Sequence, residues 1–452
     1  MSLRFLPAKM SRVVPGTIAV LIFGIAAGGS RCCRADDLHS AYEQAVSTSP
    51  AIARARGELD AALAGKPLAR SALLPHLQAY ASGGMNTAKV SGLGAQTLST
   101  GYHSDVFSAS LTESIFDGQA RVAMAQSDSR IAASRAALAW AQQSIAMAVV
   151  QAYFGVLRAR ADEAVAQREA ELLENIRKET QARLHAGMGD IIAVREVQAQ
   201  LDAAKAELIA AHNDVAVSKS RLEELTHHAV GTLRDVGEFE ARGPEPPTAD
   251  AWIAAALRNQ PLLEQAADEM KVADQQSAYQ RRARWPTLTL SGIGQHSAGA
   301  LIPPVTVDQI GASLNLSIPI YQGGRMRAGT RQAEALARAS RANVAATRDQ
   351  IRVDTQIAFF DLENSVARLN AAEAAVNSAR TSLEATRKGY EIGSRSMIDL
   401  LTATTQMASA ERTFALARYT QLVARVQLKA AAGVLSPQDI ESINTLLTGP
   451  ER

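Results

Sequence analysis

SIPIYQGGR (317–325) ends an alternating apolar run in a proline–aromatic pair and a double glycine, then opens onto a long stretch without proline. Leu314, Leu316, Ile318 and Ile320 alternate with Ser313, Asn315, Ser317 and Pro319. That period of two predicts a strand running to about Tyr321, with a turn on Gly323-Gly324. Between Gly324 and Gly393 lie 68 residues without a proline, and a helix of that length at about 1.5 Å per residue is roughly 100 Å long. Nearly the same phrase occurs earlier as SIFDGQAR (114–121), and 68 proline-free residues again separate Gly118 from Gly187.

The phrase belongs to a longer duplication. AYEQAVSTSPAIARA (41–55) matches AWIAAALRNQPLLEQ (251–265). Pro50 and Pro261 are 211 residues apart, as are Pro75 and Pro286. Phe116 and Tyr321 are 205 apart, Tyr153-Phe154 and Phe359-Phe360 are 206 apart, and so are Gly187 and Gly393. The register slips only between about 80 and 110, which predicts a longer surface loop in the first half. The expected division is a first repeat over 36–236, a linker over 237–250 and a second repeat over 251–452. Three prolines in GEFEARGPEPPTAD (237–250) rule out a continuous helix at the junction. Each repeat is expected to hold a helix of about 34 residues, two strands, the long helix and a second helix, ending near His228 and Ala432.

Composition agrees with closely packed helices. Apolar residues make up 47% of the 452-residue chain but aromatics only 4%, so a thick globular core is disfavoured. Along the first long helix, Ile131, Leu138, Ile145, Ala152, Ala159, Ala166 and Leu173 form a seven-residue stripe of apolar and small side chains. Residues 1–35 read as a secretory signal peptide, with Arg4, Lys9 and Arg12 before an apolar run and a small–x–small site ahead of Asp36. Both cysteines, Cys32 and Cys33, would leave with it, and no thiol chemistry is expected. Without that segment the chain carries 42 basic and 45 acidic residues, so nothing points to nucleic acid. No later apolar run approaches the roughly 20 residues of a membrane helix.

The strands read differently. In the first half Phe107, Ala109, Leu111 and Ile115 alternate with Ser108, Ser110, Thr112 and Ser114. One apolar and one hydroxyl-rich face fits a sheet between lipid and water. Four strands cannot close a barrel, and an open edge in lipid leaves backbone groups unpaired, so copies of the chain would have to pool their strands. Catalytic chemistry finds no support. The eight histidines include no i, i+4 pair, Gly292-Ile-Gly294 lacks a third phosphate-loop glycine, and no Ser-His-Asp or Cys-His arrangement is signalled, so no enzyme, metal or cofactor is expected.

DDLHSAYEQA, SALLPHL, SIFD, AYFGVL, IPIYQGG, GYEIGSRSMIDLL and ATTQ, in that order, cover essentially residues 36–448, and with them the chain resembles the TolC family of bacterial outer membrane efflux proteins. The resemblance implies a mainly α homotrimer with four strands per protomer in a twelve-stranded outer membrane β-barrel. It also implies an α-helical periplasmic tunnel, with equatorial segments at 229–250 and 433–448. The implied partners are a periplasmic adaptor, an inner-membrane ABC or proton-driven pump, and outer membrane lipid. The implied cargo is proteins (type I secretion), small molecules, or both. A trimeric coiled-coil adhesin with a pooled barrel is the alternative.

In the second tip, the resemblance makes Tyr390 and Arg395 the tethers of a gate and Asp399 an acidic constriction ring. Thr402 stands where a second acid is common. The first tip has Ala193 at the usual acid position, with Asp190 as a substitute one turn earlier. Ala186, Gly187, Met188, Ile392, Gly393 and Ser394 match the adaptor-docking positions.

Overall fold

The computed structural model describes residues 37–90, 98–299 and 306–448. The expected signal peptide and both cysteines lie outside the described residues. The chain order is α1 (Leu38–Thr48), α2 (Pro50–Ser71), β1 (His76–Val90), β2 (Leu98–Phe116), α3 (Gly118–His185) and α4 (Ile191–Thr226). After β3 (Asp235–Val236) come α5 (Ala249–Asn259), α6 (Pro261–Arg282), β4 (Thr287–Ala298), β5 (Thr306–Ser317), α7 (Arg325–Glu391) and α8 (Met397–Ala431). The described residues end in α9 (Pro437–Asn444) and β6 (Leu447–Thr448).

The long helices fall where the proline-free stretches predict them, with 68 residues in α3 and 67 in α7. Asp117 starts α3 by accepting from the Gln119 and Ala120 backbone amides at 2.7 and 3.1 Å. Gly323 and Gly324 turn the chain into α7 at φ 58° and 84°, a left-handed conformation that needs no β-carbon.

Three expectations need correction. The leading helix of each half is two helices, because Pro50 and Pro261 bar the preceding residue from the helical region. Ser49 and Gln260 take ψ 119° and 115°, and each proline begins a new helix at the position where its missing N–H costs nothing. Next, β5 stops at Ser317 rather than running to Tyr321, because Pro319 has no donor for the ladder. Finally, the extra residues of the first half lengthen the strands. β1 and β2 have 15 and 19 residues against 12 in each of β4 and β5, and residues 91–97, where the longer loop is expected, lie outside the described residues.

The sheet is antiparallel in the order β1-β2-β4-β5. Paired residues share a face. Leu77, Leu111, Gly292 and Ala312 form one row of the apolar face, and Ala79, Ala109, Gly294 and Ile310 the next. His76, Thr112, Ser291 and Ser313 form a row of the opposite face. Nothing among the described residues covers the apolar face: Leu77, Phe107, Leu314 and Leu316 are all exposed. Among the described residues the sheet stays open, with β1 and β5 at its edges.

Below the sheet, α6 packs between α3 and α7, and α8 takes the same place further along. Their ends meet where the Gln260 side-chain amide donates to the carbonyls of Ala430 and Ala431 at 3.2 and 3.0 Å. Donors from the next helix thus satisfy the last carbonyls of α8. The Thr48 hydroxyl does the same for Thr226 at the end of α4, at 3.3 Å. Around the middle, α1, α9 and the β3–β6 pair cover a core holding Val149, Tyr153, Phe154, Leu222 and Leu422. Arg418 donates to the Val236 and Gly237 carbonyls and fastens this strap to α8. No helix among the described residues is long and apolar enough to cross a membrane.

Candidate functional site at the helical tips

Both long helices end in the same turn. Ala186 and Ile392 are the last near-helical residues, and Gly187 and Gly393 follow at φ 73° and 78°. The Gly187 amide bonds Leu184 O at 3.0 Å and the Met188 amide bonds Arg183 O at 2.9 Å. The second tip repeats the pattern, from Gly393 to Tyr390 at 3.1 Å and from Ser394 to Gly389 at 2.8 Å. This paired Schellman arrangement needs the positive φ that glycine supplies. It leaves Ala186, Gly187, Met188, Ile392, Gly393 and Ser394 exposed together, with Met188 and Ile392 at 77% and 80%.

The returning helices start differently. In α4, Asp190 is the N-cap, and its Oδ1 accepts from the Ile192 amide at 3.1 Å. In α8 the N-cap is Ser396, which forms a capping box with Asp399. The Asp399 amide donates to Ser396 Oγ at 3.2 Å, and Asp399 Oδ2 accepts from the Ser396 backbone and hydroxyl at 2.9 and 2.8 Å. Those two bonds, backbone first, together with the Arg395 charge, hold the Asp399 carboxyl below the usual carboxylate range. Across the 206-residue spacing, Ser396 corresponds to Asp190 and Asp399 to Ala193. Asp190 therefore fills the cap position, one turn before the missing acid.

The stem of Arg395 lies over Gly389, where a β-carbon would come within 2.7 Å of Arg395 Cγ. Tyr390 is half-buried against a core of Leu173, Val197, Leu201, Met397 and Leu400, and its ring sits beneath Arg183. Thr402 is exposed one turn after Asp399. Arg183 and Ser396 were missed from sequence. The Ser-x-x-Asp spacing at 396–399 is itself a readable helix-start signature, whereas nothing local marks Arg183.

Between the tips and the middle, a polar band replaces apolar packing. Arg412 of α8 reaches Glu169 of α3 at 3.4 Å and Glu207 of α4 at 3.6 Å, and Arg168 pairs with Glu411 at 2.8 Å. Burial pushes the Glu169 carboxyl up, against the pull of Arg412. No group of three or more metal-ligating side chains occurs among the described residues.

The model of the family described as outer membrane efflux protein matches residues 41–227 and 252–434. Outer membrane protein TolC of Escherichia coli K12 is 28% identical over 464 residues, spanning 98% of this chain and 90% of that protein. Alkaline protease secretion protein AprF of Pseudomonas aeruginosa is 29% identical over 427 residues, spanning 89% and 85%. In fold, the Campylobacter jejuni CmeC outer membrane channel is similar with a TM-score of 0.79 at 18% identity, covering 91% of this chain and 90% of that one.

Proposed function

The chain belongs to the outer membrane efflux protein family, and from that premise we propose that it is the outer membrane exit duct of a tripartite export system. The observation that carries this reading is the direct passage from an uncovered two-faced sheet into helices of 68 and 67 residues. Such a chain joins a lipid layer to an aqueous space by passing from strand straight into helix. Three copies close a twelve-stranded barrel and a helical tunnel. Each copy is built of two repeats over 36–236 and 251–452, joined by the 237–250 linker. The family match, in two segments that flank residues 228–251, supports that division.

The tips form the periplasmic mouth. Asp399 rings the bore in three copies, while Tyr390 and Arg395, with Asp190 in the first tip, hold the coils together. Thr402 lines the next turn. The exposed glycine turns at 186–188 and 392–394 receive a periplasmic adaptor, through which an inner-membrane pump delivers cargo. The duct performs no catalysis. An adhesin finds no support among the relatives, which are named for efflux and secretion.

AprF is named for protease secretion, and on that likeness exported polypeptides are part of the cargo. Reconstituting the purified chain in planar bilayers should give discrete ion-conducting steps. A strain lacking the gene should lose secreted polypeptides, gain drug susceptibility, or both. A chain that conducts nothing and whose loss alters neither trait overturns the proposal.

A further inference from the structure

The guanidinium carbon of Arg183 lies 5.2 Å from the centre of the Tyr390 ring. The two residues stand on different hairpins, Arg183 in the last turn of α3 and Tyr390 in the last turn of α7. Arg183 is held in place by Glu179, whose Oε1 is 2.8 Å from its Nη2. The ring is supported from below by Leu172, Leu383 and Leu400 around a cavity of about 50 Å³. Among the described residues the Tyr390 hydroxyl makes no hydrogen bond, so the chain engages the ring rather than the oxygen. The acid usual in the first tip is absent at its own position, where Ala193 stands, and Asp190 caps α4 one turn earlier.

We propose that Arg183 latches the tip closed by seating its cation on the face of Tyr390, tying the α3–α4 hairpin to the α7–α8 hairpin. This rests on the reading of Tyr390 as a gate residue. The attraction is between a positive charge and the negative face of the aromatic ring. It requires a flat ring and a cation, and it does not require a hydroxyl. Parting the hairpins separates the two groups, so the contact favours the closed tip alone. A contact that differs between two states shifts their balance, and one common to both does not.

The test uses the full chain in planar bilayers, with oligomer content and melting temperature measured for every variant. Arg183→Gln and Tyr390→Leu are each expected to raise the open fraction of the resting channel by about two- to fivefold, the factor that an exposed cation–aromatic contact supports. The double variant should open no further than the single ones. Arg183→Lys, which keeps a cation, should open less than Arg183→Gln, and Tyr390→Phe less than Tyr390→Leu. If Arg183→Gln leaves conductance unchanged while Arg395→Gln raises it, the latch is wrong and the gate reading stands. If Tyr390→Phe opens the channel as far as Tyr390→Leu, the hydroxyl holds the gate and the latch is again wrong. If no substitution at 183, 390 or 395 changes conductance, the gate is not at this tip and both readings fall.

Discussion

At Asp399 one carboxylate completes the helix cap with Ser396 and is also the group proposed to ring the bore. The two roles pull its titration in opposite directions. Within the chain, the Ser396 hydrogen bonds lower its pKa from the 3.8 of a free aspartate. A depressed folded value means that the cap's contribution is complete above 3.8 and is lost as pH falls through the lower, folded value. Three such carboxylates crowded around an axis would instead raise one another. The ring therefore predicts that cation preference titrates over a broadened pH range, because three crowded carboxylates do not ionise together, and the curve of a single independent carboxylate would separate the three copies. Asp399→Asn keeps an acceptor for the Ser396 amide and should lower cation preference in single-channel recordings. Its cost in stability should be smaller than that of Asp399→Ala, which removes both bonds the carboxylate accepts from Ser396. Much of this site is legible in sequence, because glycine turns and caps are local. The Arg183–Tyr390 contact is not, since 207 residues separate the pair and the packing of two hairpins creates it.

The helices show the same division between local and distant causes. Absence of proline, with a strong cap at Asp117, makes α3 and α7 readable to within a residue or two. The break between α5 and α6 is also local, yet a proline at the first turn of a helix resembles one tolerated inside a longer helix. Only the extended backbone of Ser49 and Gln260 distinguishes the two cases. The end-to-end stacking of α8 on α6 can be drawn from lengths alone. The side chain that fastens the junction cannot, because Gln260 is one glutamine among many in the sequence. With 6% exposure, Gln260 is buried, and its amide caps two carbonyls of another helix. Gln260→Ala would leave those carbonyls without that donor, at a cost of about 1–3 kcal/mol. Thermal denaturation should show the loss, and Gln260→Glu should not restore it, because a carboxylate has no hydrogen to donate. An unchanged midpoint for Gln260→Ala would mean that the junction is held by other groups, such as the Thr355 hydroxyl 3.3 Å from Ala431 O.

For the whole molecule, the decisive feature is a sheet that is finished on neither side. Among the described residues its apolar face has no cover, and strands of 15 and 12 residues stand at its edges with no neighbouring strand on their outer sides. In water such edges invite aggregation, and in hydrocarbon each unpaired group costs several kcal/mol. Among the described residues neither cost is met within one chain, which is the geometric ground for the proposed association of copies. The sequence implies the same through its four amphipathic strands, although the extra length of β1 and β2 is hidden by glycine and serine content that reads equally well as loop. If the edges meet between copies, β1 of one chain lies against β5 of the next. The chain's only cysteines are at positions 32 and 33, so residues 37–448 offer a cysteine-free background for a test. One cysteine placed in β1 and one in β5 should give, on oxidation in the membrane, disulfide-linked species of two and three chains and none larger. Ladders beyond three chains would replace the trimer with another stoichiometry. Linkage only within single chains would mean that β1 and β5 close on each other, and the pooled barrel would have to be abandoned.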